Sequence, residues 1–181
     1  MRASRPGVAV DLGGIGKGWS AGCAVAAMRD AWPALGGAFV DLGGDVALAG
    51  VSPDGGLWRI GVADPRRDGM TLGTLLLTGG AVATSGRDRR RFGPGRRLHH
   101  LIDPGTGAPA GPGPLTVTVV GSDPADTEAH ATALAIGTIG DASRYLRERP
   151  HLAALIVPEQ GPPTAIGKLP FQMHSAVGAV A

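Results

Sequence analysis

One cysteine, Cys23, is all the chain has, which excludes an internal disulfide framework and any cysteine-based metal cluster. It falls in an apolar helical stretch, so a buried structural thiol is expected there. No run of eighteen apolar residues occurs, which excludes a helix spanning a membrane. The opening MRASRPGVAV has no apolar h-region of the signal-peptide kind, so the chain as it stands reads as cytoplasmic. Acid and base nearly balance, with a formal charge of +2 and a pI near 9.2. That is too little to argue nucleic-acid binding without a basic face, and phosphate ligands fit it equally well. Aromatics make up only 4%, whereas Gly 31 and Pro 15 exceed a quarter of the chain, a balance that elsewhere signals disorder. Here the glycines fall between regular apolar runs and read as tight turns. With 43% hydrophobic content over 181 residues, the chain is long enough to bury one sizeable core.

Periodicity predicts a mixed fold. Val8 to Leu12 reads as a short buried strand, and a glycine turn then opens a helix from about Gly18 to Trp32. Ala38 to Leu42 and Val46 to Ala49 read as strands joined by Gly-Gly-Asp. Further strands are expected at Trp58 to Ala63, Gly73 to Thr78, Leu115 to Val120 and Ala153 to Val157, with helices at Ala125 to Ile139 and Asp141 to Glu148. Leu-Thr-Val-Thr-Val-Val alternates at period two, which predicts one buried and one polar face. Several strands follow one another without a helix between them, so the pattern favours α+β with a largely antiparallel sheet. One domain over 1–169 is expected. The pattern fades after Lys168, so 170–181 reads as a disordered tail.

Four motifs bring glycines or hard oxygen donors to turns: Asp11-Leu-Gly-Gly-Ile-Gly-Lys-Gly18, Asp41-Leu-Gly-Gly-Asp45, His100-Leu-Ile-Asp-Pro-Gly-Thr-Gly107 and Glu128-Ala-His-Ala-Thr132. The first has the chemistry of a phosphate cradle, since glycine lets the backbone come close, a helix N-terminus offers N–H groups and Lys17 adds a full charge. A glycine turn with a solvated lysine is the plainer alternative. A P-loop is excluded, because Gly18 follows Lys17 where Ser or Thr belongs. Gly16-Lys-Gly18-Trp-Ser-Ala21 also mimics a dinucleotide fingerprint, with Asp41 about where a ribose-binding acid stands, so an NAD(P)-binding Rossmann-type domain is a lesser alternative. Against it, the later strands do not alternate with helices.

Glu128 and Thr132 stand four apart on a predicted helix and so share a face. A carboxylate and a hydroxyl are hard donors suited to magnesium, although an exposed pair of this kind is ordinarily a solvated surface. Asp126 reads as the helix N-cap or first-turn acid. His100 is a general-base candidate by its neutral-range imidazole, and His99 points the other way if the segment is extended. Asp103-Pro-Gly-Thr-Gly107 reads as an Asx-stabilised turn. The run Arg87, Arg89, Arg90 and Arg91 is either a solvated hairpin or a patch that attracts phosphate or an acidic protein.

Together and in this order the motifs resemble those of the FAD:protein FMN transferases, the ApbE-type flavin transferases, over about residues 8 to 167. The resemblance implies an ApbE-like α+β fold and a magnesium-dependent transfer of FMN from FAD to a Thr or Ser hydroxyl of an acceptor flavoprotein. It implies flavin-nucleotide contacts at Asp11 and Lys17, and looser ligand contacts at Ser85 and Gly86 in Ala83-Thr-Ser-Gly86, a segment expected to follow a strand. It further implies Mg2+ ligands at the Gly14 carbonyl, Glu128 and Thr132, and a catalytic base at His100. The family pattern Ala-Asp-x-x-x-Thr-Ala is matched by Thr127-Glu-Ala-His-Ala-Thr-Ala133, so Glu replaces Asp. Members are usually exported, often lipid-anchored, and carry an N-terminal region packed on the flavin ring. This chain starts almost at the first motif, so that region is expected to be missing. A non-catalytic flavin-binding or degenerate fragment is the alternative.

Overall fold

The computed structural model of the chain describes Gly7 and residues 10–174. Helix α1 (Gly16–Ala31) comes first, and Pro33 stands just beyond its end, where its missing N–H helps stop the helix. The antiparallel pair β1 (Gly37–Asp41) and β2 (Asp45–Gly50) follows, turned by Gly43 and Gly44 at positive φ while the Asp41 carboxylate accepts the Gly44 N–H at 2.7 Å. Next come β3 (Trp58–Ala63), β4 (Thr71–Leu77) and β5 (Gly80–Gly86). A stretch of two-residue strands then runs through β6 (Arg91–Phe92), β7 (Leu98–His99), β8 (Ile102–Asp103) and β9 (Ala108–Pro109). The chain closes with β10 (Thr116–Gly121), α2 (Pro124–Ile136), α3 (Ile139–Arg147), β11 (Ala153–Val157), β12 (Thr164–Ile166) and β13 (Phe171–Met173).

A six-stranded sheet, in the order β1-β2-β5-β10-β11-β12, forms the centre. Its helix side packs Ala131, Leu134 and Leu146 onto Val117, Val119 and Ile156. Its other side meets the sheet β13-β4-β3, where Val62, Leu75 and Leu77 cover Val46, Val82 and Leu155. Small residues let α1 lie close, with Ala21 and Val25 against Ala38 and Ala47. Asp123 caps α2 by accepting the Asp126 N–H at 2.9 Å, with Pro124 in the first turn. Asp126 is therefore the first-turn acid and not the cap.

The α+β expectation holds, and every strand pair among the described residues is antiparallel, which removes the Rossmann-type alternative. Several local expectations need correction. Val8 and Ala9 lie outside the described residues, and Val10 to Leu12 form no strand, with Val10 67% and Leu12 62% exposed. The alternation in β10 does not leave a polar face in water, because the sheet is covered on both sides. Thr116 and Thr118 are buried, and the Thr118 hydroxyl bonds that of Thr84 at 2.9 Å. Ser85 and Gly86 do not follow a strand but end β5. The expected tail contains β13, which pairs with β4, while residues 175–181 lie outside the described residues. Cys23 is exposed. No helix among the described residues is long and apolar enough to cross a membrane.

Candidate active site

A cleft of about 890 Å³ brings the sequence-predicted residues together. Asp11, Gly14, Lys17, Ser85, Gly86, His100, Glu128 and Thr132 all line it.

The turn before α1 is held locally. The Asp11 carboxylate accepts the Gly13 N–H at 2.6 Å, and the Leu12 carbonyl accepts the N–H groups of Ile15 and Gly16 at 3.1 and 2.7 Å. Gly14 lies so near α2 that a Cβ there would stand 3.3 Å from Thr132 Cγ2. Ile15 has no side chain able to cap α1. Glu128, from the neighbouring helix, supplies the missing acceptor by taking the Gly18 N–H on Oε2 at 2.7 Å. The approach depends on Gly18, where a Cβ would fall 2.2 Å from the Pro124 carbonyl oxygen.

Glu128 is thus no solvated surface acid, being 2% exposed. One oxygen caps α1, and the other, Oε1, faces the Lys17 ammonium at 3.8 Å. Lys17 is bonded more closely to Asp45, a residue that sequence reasoning quoted within a motif but assigned no role. Its signal was there to see, as an acid opening the apolar strand Asp-Val-Ala-Leu-Ala. Burial pushes the Asp45 carboxyl above its ordinary value, against the downward pull of Lys17. Thr132 lies one turn beyond Glu128, and its hydroxyl bonds that of Ser85 at 3.0 Å, which ties α2 to β5 over the cleft.

Residues of the segment 88–102 also line the cleft. His99 is buried and bonded through Nε2 to the Ala110 carbonyl at 3.1 Å, whereas His100 is exposed to the cleft, as expected for an extended pair. Loss of water around it, and next the charge of Arg90, lower the His100 pKa from 6.5, which favours the neutral base. Asp103 makes the expected turn by accepting the Gly105 N–H on its side chain at 2.8 Å and the Gly107 N–H on its carbonyl at 2.8 Å. The basic run divides. Arg87 and Arg91 are used internally, Arg87 donating to the Gly113 carbonyl at 2.7 Å and Arg91 to the Arg87 carbonyl at 2.8 Å, while Arg89 and Arg90 line the cleft.

Among the described residues no group of three or more His, Cys, Asp or Glu side chains converges as a metal site. The set expected here has a different composition, a main-chain carbonyl, one carboxylate and one hydroxyl. The observed neighbours are compatible with it: Gly14 is against Thr132, and Glu128 keeps one oxygen, Oε1, free of any hydrogen bond, 3.8 Å from the Lys17 ammonium.

This arrangement is a cleft lined by Lys17, His100, Glu128 and Thr132 on an antiparallel α+β scaffold. Comparison with known proteins gives it a family. A family model described as the ApbE family matches residues 1–156, and the chain belongs to that family. A protein of Klebsiella pneumoniae named FAD:protein FMN transferase is 33% identical over 155 residues, covering 84% of this chain and 46% of the relative. One of the same name from Rhodobacter capsulatus is 31% identical over 181 residues, covering 98% of this chain and 34% of the relative. An ApbE protein structure from Thermotoga maritima superposes with a TM-score of 0.79 at 34% identity, covering 89% of this chain and 52% of that one. The flavin transferase ApbE of Vibrio cholerae gives 0.73 at 27% identity, covering 89% and 52%. The chain therefore spans about half the length of the relatives it matches, or less.

Proposed function

We propose that the chain acts as a flavin transferase domain, moving FMN from FAD to a Thr or Ser hydroxyl of an acceptor flavoprotein in a magnesium-dependent reaction. The observation that carries this reading is that Gly14, Glu128 and Thr132 line one cleft together with His100, with Gly14 against Thr132. Gly14, Glu128 and Thr132 would hold Mg2+, which when bound supplies charge neutralisation at the FAD pyrophosphate. Lys17 and Asp11 contact the nucleotide, and Ser85 and Gly86 bound it from β5. His100 takes the proton of the acceptor hydroxyl as its oxygen attacks the FMN phosphorus, the pyrophosphate P–O bond breaks and AMP leaves. A neutral imidazole is the form this requires, and the lowered pKa of His100 favours it.

A second reading, a flavin-binding domain without turnover, uses the same cleft and differs only in whether transfer follows binding. One assay separates the two. The chain is incubated with FAD, Mg2+ and an acceptor flavoprotein, and covalent flavin is followed by in-gel fluorescence. Transfer that stops in EDTA and returns with added Mg2+ supports the transferase. Undiminished transfer in EDTA rejects the metal assignment, and FAD binding with no labelled acceptor supports the binding domain.

A further inference from the structure

Asp45 has no part in the reaction just described, yet it is one of the most buried acids in the chain. It is 1% exposed, and its Oδ1 has no hydrogen-bond partner. A buried carboxylate left half-satisfied is costly, and such groups persist where they serve a site. Its other oxygen, Oδ2, bonds the Lys17 ammonium. The same ammonium stands 3.8 Å from Glu128 Oε1, the oxygen that Gly18 leaves free.

One ammonium thus faces two buried carboxylates, and only one of them belongs to the cation corner. Lys17 and a divalent cation are rivals for Glu128 Oε1, because both are drawn to it and each repels the other at such range. Where Lys17 rests decides whether that oxygen is open. Asp45 is well suited to settle the matter, since β2 is hydrogen-bonded on both sides and Asp45 itself lies opposite Ala83 of β5. Its anchoring point is fixed by the sheet, whereas the lysine stem is flexible.

We propose that Asp45 is a positioning residue, anchoring Lys17 so that Glu128 Oε1 stays open to a divalent cation and the ammonium stays beside the phosphate path. The inference rests on the cation site proposed above. Burial favours the neutral form of Asp45, and Lys17 opposes this. Without Lys17 there is no ammonium for Asp45 to hold, so Asp45→Asn becomes nearly silent.

Calorimetric titration of Mg2+ alone into the 181-residue chain and three variants tests this. Asp45→Asn is expected to weaken Mg2+ binding about tenfold, because the freed ammonium turns to Glu128. Lys17→Met is expected to tighten Mg2+ binding severalfold while weakening FAD binding, opposite signs that a general loss of structure does not produce. In the double variant, Asp45→Asn should add less than about twofold to the effect of Lys17→Met. Unchanged Mg2+ affinity in Asp45→Asn, or a penalty that persists in full without Lys17, overturns the positioning role and leaves the cation site standing. If circular dichroism finds Asp45→Asn unfolded, Lys17→Met decides alone, with tighter binding in support and unchanged or weaker binding against. Absence of Mg2+ binding by the unaltered chain overturns the cation site and this inference with it.

Discussion

The two walls of the cleft are built differently. Glu128 and Thr132 sit on a 13-residue helix packed on the central sheet, and Ser85 is next to last in a seven-residue strand of that sheet. His100 sits among two-residue strands, next to a run with Arg90 and Arg96 at positive φ and Phe92 half in water. The first wall shares its residues with the core, so its chemistry and the stability of the domain are coupled. The second is anchored in the core through Leu101 and the buried His99, while Arg89, Arg90 and His100 are exposed beside them, so those exposed side chains are adjustable at little cost to the fold.

Substitutions at each wall test that division. His100→Asn should have the largest effect, a fall in FMN transfer of about 10²-fold or more, with FAD binding and melting temperature nearly unchanged. Equal loss of binding and turnover would make His100 a ligand contact. Where unaltered His100 is the base, transfer should decline only as pH falls through a value below 6.5, since its pKa is lowered and the neutral form persists further into acid. An acid limb above 6.5 in the pH–rate profile would contradict the assignment.

Gly18→Ala tests the core wall without altering any ligand. The new methyl meets the Pro124 carbonyl, α1 must move from α2, and overpacking of this kind costs about 1–3 kcal/mol, read from denaturant unfolding. Mg2+ affinity should fall as well, because the Gly18 N–H would no longer fix Glu128. A stable Gly18→Ala variant with normal Mg2+ binding would show that the two walls are less distinct than their packing implies. Thr132→Ala should have the smallest effect on stability, on the order of 1 kcal/mol for the lost hydrogen bond to Ser85, with weaker Mg2+ use. Unchanged Mg2+ binding there would remove Thr132 from the cation corner.

The same division governs what was legible in the sequence. Trp58–Ala63 and Ala153–Val157 were readable to the residue, the first because it alternates at period two and the second because it is a continuous apolar run. The stretch from Val10 to Leu12 is also apolar at both ends but has no neighbouring strand among the described residues, and β propensity without a partner makes no strand. The short β13 has too few residues for a period to show and exists through its pairing with β4, 96 positions away at Phe171 and Leu75. In the cleft, spacing was enough to put Glu128 and Thr132 on one face. It was silent on Glu128 capping a different helix and on Asp45 meeting Lys17, since both depend on how α1 crosses α2 and β2. The split of the arginine run into internal and cleft-facing members was likewise set by carbonyls distant in sequence, such as Gly113.

Cys23, exposed where a buried thiol was expected, gives the molecule a property of practical use. It is the single thiol of the chain, and it rides on α1 six residues beyond Lys17, about 9 Å along the axis at the usual helical rise. A maleimide dye attached there labels every molecule once, at one address, on the helix whose first turn borders the cleft. Under oxidising conditions the same atom permits a single covalent link between two chains, so a non-reducing gel should stop at the dimer.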